Sequence, residues 1–176
     1  MNYAAIKYYD IANGEGVRTS LFVSGCRHHC KDCFNAEAWP FDYGKPFTEE
    51  VEAAILSSLS PYYIAGLSVL GGEPFERENQ DALLSFLRKV RKAYPDKSIW
   101  IYSGFTYDEI VGAVPSRAFS QASEEILNLS DVLVDGRFRI EEKDISLQFR
   151  GSRNQRIIDL KKTRESGAIS IWNDSF

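Results

Sequence analysis

All three cysteines of the chain fall within eight residues, Cys26-Arg27-His28-His29-Cys30-Lys31-Asp32-Cys33, with the spacing C-x3-C-x2-C. An odd number cannot be used up in disulfides within one chain. Thiolates this close in sequence can converge on one metal centre without help from distant chain. A tetrahedral zinc site would need a fourth protein ligand, which His28 or His29 could supply. An iron–sulfur cluster is normally held by four cysteines. If this site holds a cubane, one iron has no protein ligand and is open to a substrate. A histidine beside a metal site is more often solvated, or a donor to a ligand, than a ligand itself, so neither His28 nor His29 is assigned.

The rest of the chain must deliver that loop to one place and keep it reduced, which fits a cytoplasmic protein. No basic-then-apolar segment opens the sequence at Met1-Asn2-Tyr3. The longest apolar runs, such as Ile64 to Leu70, are too short to cross a bilayer. A net charge of −4 gives no electrostatic case for nucleic acid. With 176 residues and no repeat or linker composition, a single domain spanning 1–176 is expected.

Residues 1–17 read as irregular or as a short edge hairpin turning at Asn13-Gly14. Thr19 to Ser24 reads as the first core strand, and it delivers a long loop over 25–47. Thr48 can cap a helix opening with Glu49-Glu50 and stopped by Pro61. Leu67 to Leu70 reads as a strand ending in Gly71-Gly72. Asn79 to Tyr94 has an apolar face of Leu83, Leu87, Val90 and Tyr94. Its run Arg88, Lys89, Arg91, Lys92 reads as a solvated face complementing the helix dipole. Ser98 to Tyr102 is a strand, Thr106-x-x-Glu109 a capping box, Ser120 to Leu129 a helix, and Asp131 to Val134 and Arg156 to Leu160 strands. The tail, 161–176, contributes one further short strand at Ala168 to Trp172. Strands alternating with helices predict an α/β fold of about five to six mostly parallel strands, too few to close a barrel. Cys26, Gly71, Ser103 and Asp135 each follow a strand end, where such folds place their sites.

Two blocks then carry a family resemblance. C-x3-C-x2-C followed by Gly71-Gly72-Glu73-Pro74 resembles the radical S-adenosylmethionine (SAM) superfamily. Asn13-Gly14-Glu15-Gly16, Thr19 to Cys26, Val134-Asp135-Gly136 and Phe149-Arg150-Gly151-Ser152-Arg153-Asn154-Gln155-Arg156 are similar to the activators of anaerobic ribonucleoside-triphosphate reductase, over Met1 to about Leu160. That resemblance implies a truncated, open partial (β/α) barrel. It implies one [4Fe–4S] cluster held by Cys26, Cys30 and Cys33, with no catalytic residue beyond these ligands, and SAM chelated to the open iron. Reductive cleavage would give methionine and a 5′-deoxyadenosyl radical, which abstracts hydrogen from a glycine of the large reductase. The implied partners are that reductase and a low-potential electron donor such as flavodoxin or ferredoxin. The implied assembly is a homodimer or a heterotetramer with the reductase.

Residue by residue, the Gly71-Gly72-Glu73-Pro74 turn would present backbone and Glu73 carboxylate acceptors to the SAM amino group. The glycines would be needed because a side chain blocks the approach of backbone to ligand. Many relatives carry an aromatic residue just before the third cysteine; here that residue is Asp32, and the adenine contact falls to Asp32, Cys33 and Phe34. Ser103 belongs to the same cofactor-binding set. Asp135 would bind ribose hydroxyls or close a turn beside Gly136. Arg150 and Arg153 would meet an acidic partner, the SAM carboxylate, or only solvent. Tyr3, Tyr8 and Tyr9 read as packing residues. A zinc-binding interaction module and a radical SAM enzyme acting on a small molecule remain the alternatives.

Overall fold

The computed structural model describes residues 1–172. Among these residues seven strands form one mixed sheet in the order β3-β1-β2-β4-β5-β6-β7. They are β1 (Asn2–Asp10), β2 (Val17–Val23), β3 (Lys45–Pro46), β4 (Ile64–Gly71), β5 (Ser98–Tyr102), β6 (Val132–Asp135) and β7 (Arg156–Asp159). The helices are α1 (Glu49–Ser58), α2 (Arg77–Ala93), α3 (Tyr107–Ile110), α4 (Gln121–Leu129) and α5 (Leu160–Ser166). The pairings β2–β4, β4–β5 and β5–β6 are parallel. The outer pairings β1–β2, β1–β3 and β6–β7 are antiparallel, so the sheet is mixed and not mostly parallel.

Side chains alternate between the two faces of this sheet. Leu21, Val69, Ile101 and Leu133 lie in register on one face, buried under Ile55, Leu83, Phe86, Leu87 and Ile126 of the helices. Each such side chain contributes about 1.5–3 kcal/mol on full burial. The other face carries Ser20, Ser68, Trp100 and Val132 in register, with Phe149 and Trp172 packed edge-on against Trp100. There Arg18, 1% exposed, spends its guanidinium on Ser68, Ser98 and the carbonyls of Glu15, Leu67 and Ser98. The helices therefore cover one face, and the second face is left to loops.

Several elements differ from the sequence reading. Residues 2–10 form a full strand hairpinned onto β2, with only the two-residue β3 outside it. Thr48 sits at the N-cap of α1 in extended conformation, but its side chain makes no capping bond. The basic run of α2 is largely cross-braced: Arg88 pairs with Glu125, Lys89 with Glu52, and Arg91 with Asp131. The tail opens with α5, capped by Asp159, whose Oδ1 accepts from Lys162 N–H at 2.9 Å, and closed by left-handed Gly167. Of the strand expected at 168–172, only a bridge between Ile171 and Ile158 forms. Residues 173–176 lie outside the described residues. The capping box at Thr106 and Glu109 forms as expected, and Ser120 and Ser123 make a second one.

Candidate metal centre

The carboxyl end of β2 runs straight into the cysteine loop. Ser24 N–H donates to Asn2 C=O at 3.0 Å, Gly25 N–H to Ala38 at 2.8 Å and Cys26 N–H to Trp39 at 3.0 Å. Gly25 has φ +93, and a Cβ there would lie 2.3 Å from the Phe41 ring. His29 and Asp32 also adopt positive φ, 50° and 56°. These bends turn the chain tightly enough for Cys33 N–H to reach Cys30 C=O at 3.2 Å. All three cysteines line one cavity of about 500 Å³ above the carboxyl ends of β2, β4 and β5. Asp32, Phe34, Gly71, Gly72, Glu73 and Ser103 share its wall; Pro74 and Asp135 do not.

The Gly71-Gly72 turn is explained by the cysteine loop itself. Gly72 N–H donates to Val23 C=O at 2.7 Å and Glu73 N–H to Gly25 C=O at 2.8 Å. A Cβ on Gly72 would lie 2.6 Å from that Gly25 carbonyl. The glycine is thus required for contact between two backbone segments, and not only for a ligand's approach. The expectation for Glu73 also changes. Its side chain is fully buried, and its carboxylate already accepts four hydrogen bonds. Phe75 N–H (2.9 Å) and Ser103 Oγ (2.8 Å) donate to Oε1, while Gly104 N–H (2.7 Å) and His28 Nε2 (2.9 Å) meet Oε2. A carboxylate has about four lone-pair sites, so none is left for a ligand amino group.

The other candidate residues sort by environment. Asp135 is 1% exposed, lies outside the cavity wall, pairs with the Arg156 guanidinium and accepts from Tyr107 N–H at 2.7 Å. Phe34 is 81% exposed at the cavity lip. Arg150 donates to Gln155 C=O, and Arg153 pairs with Asp144 at 2.8 Å. Tyr3 packs edge-on against Phe47, whereas Tyr8 and Tyr9 are exposed, Tyr9 stacking on Tyr63. His29 lies beside Trp39. His28 turns inward with its side chain 2% exposed.

Sequence reasoning missed a buried scaffold behind the loop. Glu76, fully buried, accepts from Arg27 N–H and both the Arg27 and Arg117 guanidinium groups at 2.9–3.2 Å. Asn79 Nδ2 bridges the carbonyls of Ser24 (2.9 Å) and Glu73 (3.0 Å). These partners lie about 50 residues from the cysteine loop, beyond any local pattern. The capacity of Asn and Glu to bridge backbone was the only sequence signal.

Burial pushes the Cys26 thiol up to about 12, against the pull of the His28 N–H; the nearby Glu73 and Glu76 carboxylates add to the rise. Burial, with the neighbouring Cys33, also raises Cys30. Thiols held this way keep their protons until a metal displaces them, so loading is coupled to proton release. Among the described residues no three His, Cys, Asp or Glu side chains gather as a single ion would require. A cubane asks for less convergence, because each thiolate takes its own iron. The cavity is of cofactor size. Two of its wall residues carry a buried polar atom without a partner among the described residues, His28 Nδ1 and Tyr102 Oη. Three thiols, room for a small molecule and two unmet polar atoms fit a cluster with a ligand beside it.

The class follows from residues 12–158, which match the family described as a 4Fe-4S single cluster domain. The chain is 43% identical over 159 residues to a Pasteurella multocida protein, covering 88% of this chain and 95% of the relative. An Escherichia coli K12 relative is 37% identical over 163 residues, covering 92% and 100%. One from Enterobacteria phage T4 is 34% identical over 159 residues, covering 89% and 93%. All three are named anaerobic ribonucleoside-triphosphate reductase-activating protein, and the chain belongs to that family. No helix among the described residues is long and apolar enough to cross a membrane.

Proposed function

We propose that the chain activates the anaerobic ribonucleoside-triphosphate reductase by generating a glycyl radical on it, with SAM as the source of the radical. The observation that carries this reading is the shared cavity wall: three otherwise unpaired cysteines beside the Gly71-Gly72-Glu73 turn. Cys26, Cys30 and Cys33 would hold the cluster. When bound, the cluster supplies the single low-potential electron that splits SAM into methionine and a 5′-deoxyadenosyl radical. The backbone of the Gly-Gly turn and the end of β5 at Ser103 form the cofactor's cradle. The loop over 136–155 forms the opposite wall and limits access of water. The reductase's glycine enters from the open side and gives a hydrogen atom to the radical. The open sheet is the partial barrel that this chemistry uses, a flavodoxin or ferredoxin is the electron donor, and the setting is cytoplasmic.

The test is anaerobic reconstitution followed by reduction with SAM and the cognate reductase. The protein should carry about four irons, and a glycyl radical should appear by electron paramagnetic resonance. Deuterium at the target glycine Cα should be recovered in 5′-deoxyadenosine. A colourless zinc protein would replace this reading with the interaction module. Label retained in the reductase while a small metabolite supplies the hydrogen would replace it with a small-molecule enzyme.

A further inference from the structure

The saturated Glu73 carboxylate leaves a ligand amino group at the Gly-Gly turn with backbone acceptors but without the side-chain acceptor expected of the motif. His28 supplies one. Its Nε2 lies 2.9 Å from Glu73 Oε2. The Phe105 ring stands edge-on at 4.4 Å from the His28 ring centroid. Gly104 meets the ring closely enough that a Cβ there would fall 2.5 Å from it. The ring is thus fixed on three sides. An ionised carboxylate only accepts, so Nε2 is the donor; in a neutral imidazole the other nitrogen is then a bare acceptor. That nitrogen, Nδ1, is buried, belongs to a wall residue of the cavity and has no partner. A buried polar atom left unmet is costly.

We infer that His28 is a ligand-positioning residue, whose Nδ1 accepts a hydrogen bond from the amino group of bound SAM and carries the negative charge of Glu73 to it. This rests on the proposed function above. The ligand's requirement is a protonated or neutral amine close to the cysteine end of the cavity, because His28 sits between Cys26 and Cys30. The glycine at 104 is then needed to seat the ring, and the internal hydrogen bonds of Glu73 become the means of holding it.

Two variants separate this role from a purely structural tie. In His28→Gln the amide can still donate to Glu73 from near the Nε2 position, but nothing replaces Nδ1. In His28→Asn an amide oxygen sits near Nδ1, and the Glu73 bond is lost. Each reconstituted protein is titrated calorimetrically with SAM and with the analogue that has hydrogen in place of the amino group. We expect His28→Gln to keep its iron content but bind SAM about tenfold to a hundredfold more weakly, the range for a hydrogen bond to a charged group. Its affinity for the analogue should match that of the unaltered protein, and His28→Asn should bind SAM more tightly than His28→Gln. Equal SAM affinity in His28→Gln, the reverse order of the two variants, or loss of the cluster in both would overturn the inference and leave His28 as a tie of the loop. Failure of the unaltered, iron-loaded protein to bind SAM would instead remove the proposed function itself.

Discussion

Two long loops wall the cavity, and they are held in opposite ways. The cysteine loop, 25–47, hangs from the sheet and from buried side chains: Glu73 N–H reaches Gly25, Asn79 bridges Ser24 to Glu73, and Glu76 holds Arg27. The loop over 136–155 is mostly bonded to itself. Gln155 Oε1 accepts from Gly151 and Ser152 N–H, its Nε2 donates to Gly136 C=O, and Arg153 N–H reaches Glu142. Its seat on the sheet is Phe149 against Trp100, and Ile145 stands 94% exposed at the cavity lip. The contrast separates two requirements. A metal-holding loop must be in place before its ligand, so its supports are buried and non-local. If the second loop is the one that meets a partner, it carries its own order and leaves apolar surface, Ile145, outside.

The largest effect should follow from Cys30→Ala. No other cysteine can substitute, so reconstituted iron should fall to background and no SAM cleavage should remain. An intact cubane in this variant would show that the cysteine loop is not the metal-holding wall. Gly72→Val should do nearly as much by a different route. The new side chain collides with the Gly25 carbonyl, so the cysteine loop is displaced and both iron content and SAM affinity should drop at least tenfold. A variant with full iron content would mean that the two backbones part easily, and the contrast between the loops would weaken.

Glu76→Gln tests the scaffold by itself. Burial alone would raise the Glu76 carboxyl, but hydrogen bonds from Arg117 and Arg27 more than reverse that, so its pKa is lowered. A depressed carboxylate contributes stability that is complete above its unfolded value of about 4.3 and is lost as pH falls through the folded value. Removing one partner of a buried pair costs about 3–5 kcal/mol, but here the arginines are 46% and 38% exposed, which reduces the expectation to about 1–2 kcal/mol. Urea unfolding of the metal-free protein at pH 7 and pH 4 should show the unaltered protein losing more stability than Glu76→Gln over that interval. Parallel losses would assign the acid sensitivity elsewhere.

What the sequence disclosed follows the same division. Ser98 to Tyr102 and the Thr106 box were legible because short-range rules set them: an apolar β-branched run, and a cap closed three residues later. The cysteine spacing and the Gly-Gly turn stood out for the same reason, and the structure puts both on one cavity wall. β1 was legible only in part: Asn13-Gly14 marked the hairpin turn, but Asn2–Asp10 lacks alternation and owes its full length to pairing with β2. α5 was missed although Asp159 and Gly167 marked its two ends, because its polar body hides the helical period. The contact between Glu73 and His28 was beyond reach, since 45 residues separate them and only folding brings them to 2.9 Å. The glycine at 72 was recognised as necessary, but what approaches it is a carbonyl of the same chain.

The smallest effect on the isolated protein should come from Ile145→Ser, and it probes the second loop directly. Ile145 is 94% exposed, so losing its side chain removes almost no buried surface, and stability should change by less than about 0.5 kcal/mol. Among the described residues it makes none of the hydrogen bonds that order either loop. Iron content and SAM affinity should therefore match those of the unaltered protein. If the loop over 136–155 faces the reductase, the apolar side chain at the lip is buried only in the complex. The reductase concentration giving half-maximal glycyl radical should then rise about threefold to thirtyfold, as for loss of 0.7–2 kcal/mol at an interface. Unchanged activation with unchanged SAM binding would place the docking surface elsewhere, with Phe34 on the cysteine loop the first residue to try. The two loops would then differ in how they are held but not in what they meet.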